Sequence, residues 1–342
     1  MTSELDEQKI IFVIGNSRSG TTMLGRILGR ASNVFTFNEL HFFEQMWQPS
    51  IHTKIIKPEV AVDYAARLMA VQRDGYYTRL DLNAYRAEAI KLIQTKPDGW
   101  TAPQVYAAFV KYEAGRHSKS ISCDQTPRNL FYLNEILDLY PGAYAVHIIR
   151  DPRDVLLSQK NRWRRRAFTK KAFPLKESIR SWVNYHPISI SLLWKSGIRA
   201  WEKIKHHPRV YSFRFEDLLE NPEQTVREVC SHLKIEYSPE MLEVPQVGSS
   251  HGTDRPDQFG VNKEIAGRWQ RSSKTDFVDL HICQKILEKF MVKLNYPLAK
   301  FSLNPFYFLW VLALWPFKAT MAVLVNFDKS SNMITFVRRR LG

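Results

Sequence analysis

Short apolar runs recur along the chain at Ile10–Ile14, Ser118–Cys123, Ala143–Ile149 and Val210–Phe213. They are rich in Ile, Val and Ala and lack clean apolar–polar alternation, the pattern of strands buried on both faces. A segment of helical periodicity follows each of them: Thr22–Ala31, Asn129–Tyr140, Arg153–Trp163 and Glu223–Leu233. Two helix starts carry their own signal, with Asp151 before Pro152 and Asn221 before Pro222. Strands alternating with helices predict an α/β fold with a central, mostly parallel sheet flanked by helices. Residues 45–115 read as mainly helical, with Tyr- and Arg-bearing faces around Tyr64–Tyr77.

The C-terminal stretch breaks this rhythm. Residues 305–327 are almost wholly apolar, interrupted by Pro316 and Lys318 and followed by Arg338, Arg339 and Arg340. As a helix this stretch would run about 34 Å, against a bilayer core of about 30 Å. Its 11 Leu, Phe and Val residues favour insertion by roughly 5 kcal/mol, and a central lysine opposes it by roughly 3, with proline adding to the cost. The terms nearly cancel. Three placements therefore stay open: a hairpin or amphipathic segment lying on a membrane surface, a true span, or packing on the folded domain. The chain divides into residues 1–300 and an apolar, basic segment, 301–342.

At 342 residues the chain is long enough for one large or two small domains with a real core. With 44% hydrophobic and 13% aromatic residues it is not a disordered chain. A net charge of +15 calls for an acidic partner, whether nucleotide, nucleic acid or anionic membrane face. Cys123, Cys230 and Cys283 lie far apart without a CxxC pair, and read as reduced thiols. The polar N-terminus has no signal-peptide pattern, so the expected location is cytoplasmic, peripheral to the inner face of a membrane if the tail binds one.

The first strand runs into Gly15-Asn16-Ser17-Arg18-Ser19-Gly20-Thr21-Thr22. Gly15 to Gly20 has the spacing of a phosphate-binding loop, but Thr21 stands where a nucleoside triphosphatase carries its lysine. Backbone N–H groups from Asn16 to Thr22, with a helix N-terminus behind them, attract an anion through roughly half a positive charge. Arg18 adds a guanidinium able to bridge a terminal phosphate and the group leaving it. A second constellation lies in Val146–Ser158. Arg150 ends a strand, Ser158 sits two turns into the next helix, and Arg162 falls one turn further on the same face. Two anion pockets suit an adenosine bearing both a 5′ and a 3′ phosphate. The ten histidines show no HExxH or Cys/His pairing, His206-His207 reads as a surface turn, and no metal is expected.

Three segments in order resemble the sulfotransferase family: the Ser-Arg-Ser-Gly-Thr-Thr loop, Ile-Arg-Asp-Pro-Arg-Asp-Val with Ser158, and Phe-Arg-Phe-Glu-Asp-Leu-Leu-Glu-Asn-Pro at residues 213–222. The resemblance is nearer the tyrosylprotein and bacterial branches than the cytosolic branch, whose loop carries lysine. It implies a P-loop-like sulfotransferase fold and transfer of a sulfuryl group from 3′-phosphoadenosine 5′-phosphosulfate to an acceptor hydroxyl, with residues 45–115 as an insertion over the acceptor site. It assigns Arg18 to the phosphosulfate bridge, Thr21 and Thr22 to the 5′-phosphate, and Arg150, Ser158 and Arg162 to the 3′-phosphate. Glu39, in Thr-Phe-Asn-Glu-Leu-His, matches the general base of the tyrosylprotein branch, and a carboxylate there could take the acceptor's proton; His41 is the rival base. Lys263, Arg268 and Trp269 match the late segment that folds over the nucleotide. Gln125 departs from the pattern. The family carries a lysine just before Thr-Pro, whereas Gln125 can donate a hydrogen bond but brings no charge. Either Arg18 carries that stabilisation, the rate is lower, or Lys263 reaches in. A sulfuryl group carries less negative charge in flight than a phosphoryl group, so arginine and backbone donors can serve without a metal.

The apolar tail, basic surface and aromatic insertion point to a lipid, sterol or other hydrophobic alcohol as acceptor. A carbohydrate ranks next and a peptide tyrosine third. The remaining alternatives are a P-loop kinase, which would need the missing lysine, a nucleotide-binding pseudo-enzyme, and a basic membrane- or nucleic-acid-binding module. Nucleic acid is not an expected partner.

Overall fold

Every residue of β1 (Ile10–Gly15) is buried, which accounts for its unalternating apolar sequence. The computed structural model describes residues 8–49, 53–76, 80–163, 175–246 and 255–326. Around β1 lie β2 (Val34–Phe37), β3 (Ile121–Asp124), β4 (Ala143–Ile149) and β5 (Val210–Arg214), all parallel, in the order β2–β3–β1–β4–β5. β1 pairs with β4 from Ile10↔Ala143 to Gly15↔Ile148. The loop after β1 and Arg150 after β4 therefore emerge side by side at the C-terminal edge of the sheet, where open parallel sheets bind their ligands.

The pleat sends alternate β1 side chains into two cores. Ile11 and Val13 pack with α1 (Thr21–Gly29) and α10 (Pro222–Leu233). Ile10, Phe12 and Ile14 pack under α2 (Pro58–Asp74) and α4 (Ala102–Arg116), with α3 (Asn83–Ile93) behind. Tyr106 of α4 stacks on Phe12 at 6.4 Å. Residues 45–115 are thus largely helical, as expected, and α2 and α4 form a layer of the fold itself.

The rest of the chain completes the other edge. α5 (Leu133–Leu139) precedes β4, and α6 (Pro152–Lys160), α7 (Leu175–Asn184), α8 (Pro187–Glu202) and the short α9 (Phe215–Glu220) flank β4 and β5 in the chain. α11 (Phe277–Lys293) packs on α8 and α6. α12 (Pro305–Val325) is one continuous helix despite Pro316, long and apolar enough to cross a membrane, and of its residues only Val311 is buried.

Several boundaries differ from the sequence expectation. Ser118 has a left-handed backbone (φ 56°), so β3 starts only at Ile121. The helix expected over 129–140 divides into a 3₁₀ segment, Pro127–Tyr132, and α5, because Asn129 turns its amide onto buried Asp124 (3.1 Å). β2 was not foreseen; it is four residues long. Arg164, Arg165, Arg166 and Arg338–Arg340 lie outside the described residues.

One ion cluster staples the helical layer. Arg73 of α2 forks onto Glu88 of α3 (2.7 and 2.9 Å) and also meets Glu113 of α4 (3.1 and 2.6 Å). The Glu113 side chain is 3% exposed. Arg73→Ala leaves that carboxylate buried with Arg116 as its remaining partner, and should cost about 3 kcal/mol in urea unfolding at neutral pH. The Arg73 hydrogen bond holds the Glu88 carboxyl down at about 2 from its ordinary 4.5. Its contribution is therefore present above pH 4.5 and lost as the pH falls toward 2, so the gap between variant and wild type should narrow across that window.

Candidate active site

The loop between β1 and α1 turns on two left-handed residues, Arg18 (φ 81°) and Gly20 (φ 105°). Gly20 is required twice over: its backbone is strained for other residues, and a Cβ there would lie 2.4 Å from the Phe215 ring. Ser19 N–H donates to the Asn16 carbonyl at 3.1 Å, closing the turn. The first helical bonds run from Met23 and Leu24 N–H to the Gly20 carbonyl (3.0 and 3.1 Å). The N–H groups of Thr21 and Thr22 thus lie ahead of those bonds, at the positive end of α1. Ser19 is fully buried and its Oγ lacks a hydrogen-bond partner among the described residues. A glycine-shaped cradle, donors at a helix start and an orphaned hydroxyl fit a phosphate group.

Arg150 binds this loop to the rest of the site. Its guanidinium, 1% exposed, donates to the carbonyl of Arg18 (3.1 Å) and to that of Ile265 (2.9 Å). It also lies 4.6 Å from the Phe215 ring centroid. Asp154, one turn further, accepts from the backbone N–H groups of Gly267 (2.8 Å) and Trp269 (3.0 Å). Arg153 pairs with Asp151 and lies 3.5 Å over Trp269. The late segment is therefore fastened beside the phosphate loop. Burial lowers the Arg150 pKa, Asp154 and Glu216 push it back, and Arg268 adds to the lowering. Arg268 is exposed but within electrostatic reach of Arg150; Lys263 is exposed nearby in the chain. Burial also lifts the Glu216 carboxyl to about 7; it accepts from Asp151 N–H (2.9 Å) and Tyr296 Oη (3.0 Å).

The two expected anion pockets are contiguous. Arg18 Nε donates to Ser158 Oγ at 3.0 Å, so the loop guanidinium and the hydroxyl of α6 meet directly. Asn16 donates to the Trp194 carbonyl (3.4 Å), and Trp194 Nε1 donates to the Arg150 carbonyl (3.1 Å), which ties α8 to both.

Glu39 sits beyond β2 on a segment held from both sides. Asn38 is clamped by Gln72 of α2, N–H to side chain and side chain to carbonyl, each 2.8 Å. Leu40 N–H donates to Thr126 Oγ1 (2.9 Å), and Thr126 Oγ1 donates to Asp124 (2.6 Å). Between these anchors the Glu39 side chain is 39% exposed. Its carboxylate meets His41 Nε2 at 3.3 Å; His41 Nδ1 meets Glu44 at 3.2 Å; Glu44 pairs with Arg128 at 2.6 Å. Burial raises the Glu39 pKa, but the His41 hydrogen bond and charge, then Arg162 and Arg128, outweigh it and hold the carboxyl below its usual range. Burial lowers the His41 pKa and the two carboxylates more than reverse that. Arg162, expected at the 3′-phosphate, is thus also felt at Glu39. Gln125 is buried against α1, its Oε1 2.6 Å from where a Cβ on Gly25 would stand and without a hydrogen-bond partner among the described residues.

Sequence reasoning missed Asp154, Phe215 and the Glu44 half of the histidine clamp. Asp154 was legible in principle, as the second acid of Arg-Asp-Pro-Arg-Asp; Glu44 lies one helical turn from His41.

The family model described as the sulfotransferase family matches residues 11–239. The chain belongs to the sulfotransferase family. An uncharacterized protein of Aquifex aeolicus (strain VF5) is 25% identical over 268 residues, 77% of this chain and 31% of that protein. The chain thus spans about a third of the length of that curated relative. Among solved structures, the sulfotransferase domain of the Synechococcus PCC 7002 olefin synthase is 16% identical, covering 86% of this chain and 98% of that one, at a TM-score of 0.51. The sulfotransferase domain from the curacin biosynthetic pathway is 19% identical, covering 85% and 99%, at a TM-score of 0.49.

The clamp on His41 has a direct readout. His41 should keep its proton above the ordinary 6.5, followed by its ring proton shift in NMR titration. Glu44→Gln removes one flanking charge and should lower the midpoint. A wild-type midpoint at or below 6.5, or no movement in the variant, would contradict the clamp.

Proposed function

We propose that this sulfotransferase acts on the hydroxyl of a hydrophobic, membrane-borne alcohol such as a lipid or sterol, with Glu39 as general base. The observation that carries the base assignment is the His41 clamp: Glu39 is a part-exposed carboxylate held below its usual pKa range, while both ring nitrogens of His41 are turned onto carboxylates and neither is left for an acceptor hydroxyl. Glu39 takes the acceptor's proton as the new S–O bond forms and the bond to the bridging oxygen breaks, releasing the 3′,5′-bisphosphate. Asn16, Ser17, Ser19, Gly20, Thr21 and Thr22 would surround the 5′-phosphate. Ser158, Arg150 and Arg162 would serve the 3′-phosphate, with Lys263 and Arg268 on the closing segment. Arg18 would stabilise the charge left on the bridging oxygen. Gln125 offers a neutral donor in place of the family lysine, which puts more of that burden on Arg18. The hydrophobic acceptor is supported by α12, which leaves Phe306, Leu309, Trp310 and Phe317 exposed, and by the +15 charge of the chain.

Glu39→Gln should lower turnover at least about 100-fold while leaving binding of adenosine 3′,5′-bisphosphate unchanged. Undiminished turnover would remove Glu39 from the base role. Offered radiolabelled donor and a panel of lipids, sterols, sugars and phenols, the wild type should label the lipid or sterol class. Transfer to sugars alone would overturn the acceptor assignment.

A further inference from the structure

Lys318 and Trp315 of α12 turn their polar groups toward the neighbouring helices. Lys318, which counts against membrane contact in the sequence, donates to the carbonyls of Trp182 (3.2 Å) and Tyr185 (3.1 Å) at the end of α7, and lies 4.1 Å over the Trp182 ring. A lysine at a helix C-terminus satisfies orphaned carbonyls and the dipole together. The exchange is reciprocal. Arg180 of α7 donates to the Val325 carbonyl (2.9 Å) at the end of α12, and Asn326 donates to Asn184 (2.7 Å). Trp315 Nε1 donates to Ser189 of α8 (3.2 Å).

What remains outside is apolar on both helices. Leu309, Phe317 and Leu324 of α12 and Leu175, Ile179 and Trp182 of α7 are each more than half exposed. Leu175, Ile179 and Trp182 follow the i, i+4, i+7 stripe of one helical face. Single exposed apolar side chains are ordinary, but two adjoining apolar helix faces form a continuous surface. In the sequence, Arg164, Arg165, Arg166, Lys170 and Lys171 precede α7, and Arg338–Arg340 follow α12.

We propose that α7 and α12 form one platform that lies in the plane of an anionic membrane leaflet, with Lys318 and Arg180 as its internal clasp. The proposal rests on the reading of a membrane-borne acceptor for its purpose, and names the surface by which the enzyme reaches it. A second copy of the chain would match the apolar faces but would bring a second net charge of +15, which opposes self-association and favours an anionic surface. A span would require α12 to leave α7 and carry Lys318 into hydrocarbon without its two carbonyls, at roughly 3 kcal/mol for the lysine alone. In the plane of the interface the clasp stays closed while both apolar faces are buried among headgroups and upper acyl chains.

The test is flotation of the full chain with vesicles of phosphatidylcholine, with and without phosphatidylserine, followed by an alkaline carbonate wash. The protein should float with the anionic vesicles, bind them less in high salt, and be released by carbonate. Ile179→Asp on α7 and Phe317→Asp on α12 should each lower partitioning by roughly ten-fold, with adenosine 3′,5′-bisphosphate binding and circular dichroism unchanged. If Phe317→Asp abolishes flotation and Ile179→Asp does nothing, α7 is not part of the platform. Resistance to carbonate would make α12 a span, and a dimer by light scattering without flotation would make the surface a self-interface; each overturns the proposal. A lipid acceptor sulfated in detergent by a chain that does not float would sink the platform and leave the proposed function standing. Flotation with transfer only to sugars would do the reverse.

Discussion

A single buried guanidinium holds the site together. Arg150 lies at the end of the strand beside β1, and its two terminal nitrogens reach the carbonyl of Arg18 on one side and that of Ile265 on the other. Burying an arginine is tolerable only where its donors are satisfied and acids stand nearby; Asp154 and Glu216 supply the second condition. Asp154 in turn fixes the next residues of the late segment. The phosphate loop, α6 and the segment at 265–269 are thus arranged by neighbouring residues of one motif. The parallel register of β1 and β4 makes this possible, because it brings both strand ends out at the same level.

The second requirement is a carboxylate that stays ionised near such a cleft. Among the described residues, the acid–base partner shown for Glu39 is His41 rather than an arginine. The other ring nitrogen of His41 faces a second acid, Glu44, itself anchored by Arg128. The carboxylate remains part-exposed and able to accept a proton, whereas a direct arginine fork would occupy both oxygens. Its position comes from the clamp of Asn38 by Gln72 and of Leu40 by Thr126. Through Gln72, α2 of the helical layer fixes the chain next to the carboxylate proposed as base.

The phosphate loop and the Arg150–Ser158 segment were legible in the sequence because their chemistry demands glycines and arginines at short, fixed spacings. The central strands were legible because burial on both faces removes alternation. β2 was not, being too short for its pattern to separate from its surroundings. The role of α2 and α4 as a layer was also hidden, since a helix packed on a sheet and one covering a site have the same amphipathic pattern. Asp154 and Glu44 were hidden because their partners, the N–H groups of Gly267 and Trp269 and the guanidinium of Arg128, come from distant segments. The platform of α7 and α12 depends on contacts across more than 130 residues of chain, such as Lys318 to Tyr185, which local periodicity does not encode.

One nucleotide gripped at both ends is the central claim, and isothermal calorimetry tests it most directly. Adenosine 3′,5′-bisphosphate should bind at least about ten-fold more tightly than adenosine 5′-monophosphate, since a 3′-phosphate facing Ser158 and the strand-end arginine gains charge-assisted hydrogen bonds. Equal affinity for the two would show that the cleft reads only the 5′ end, and would contradict the joined site.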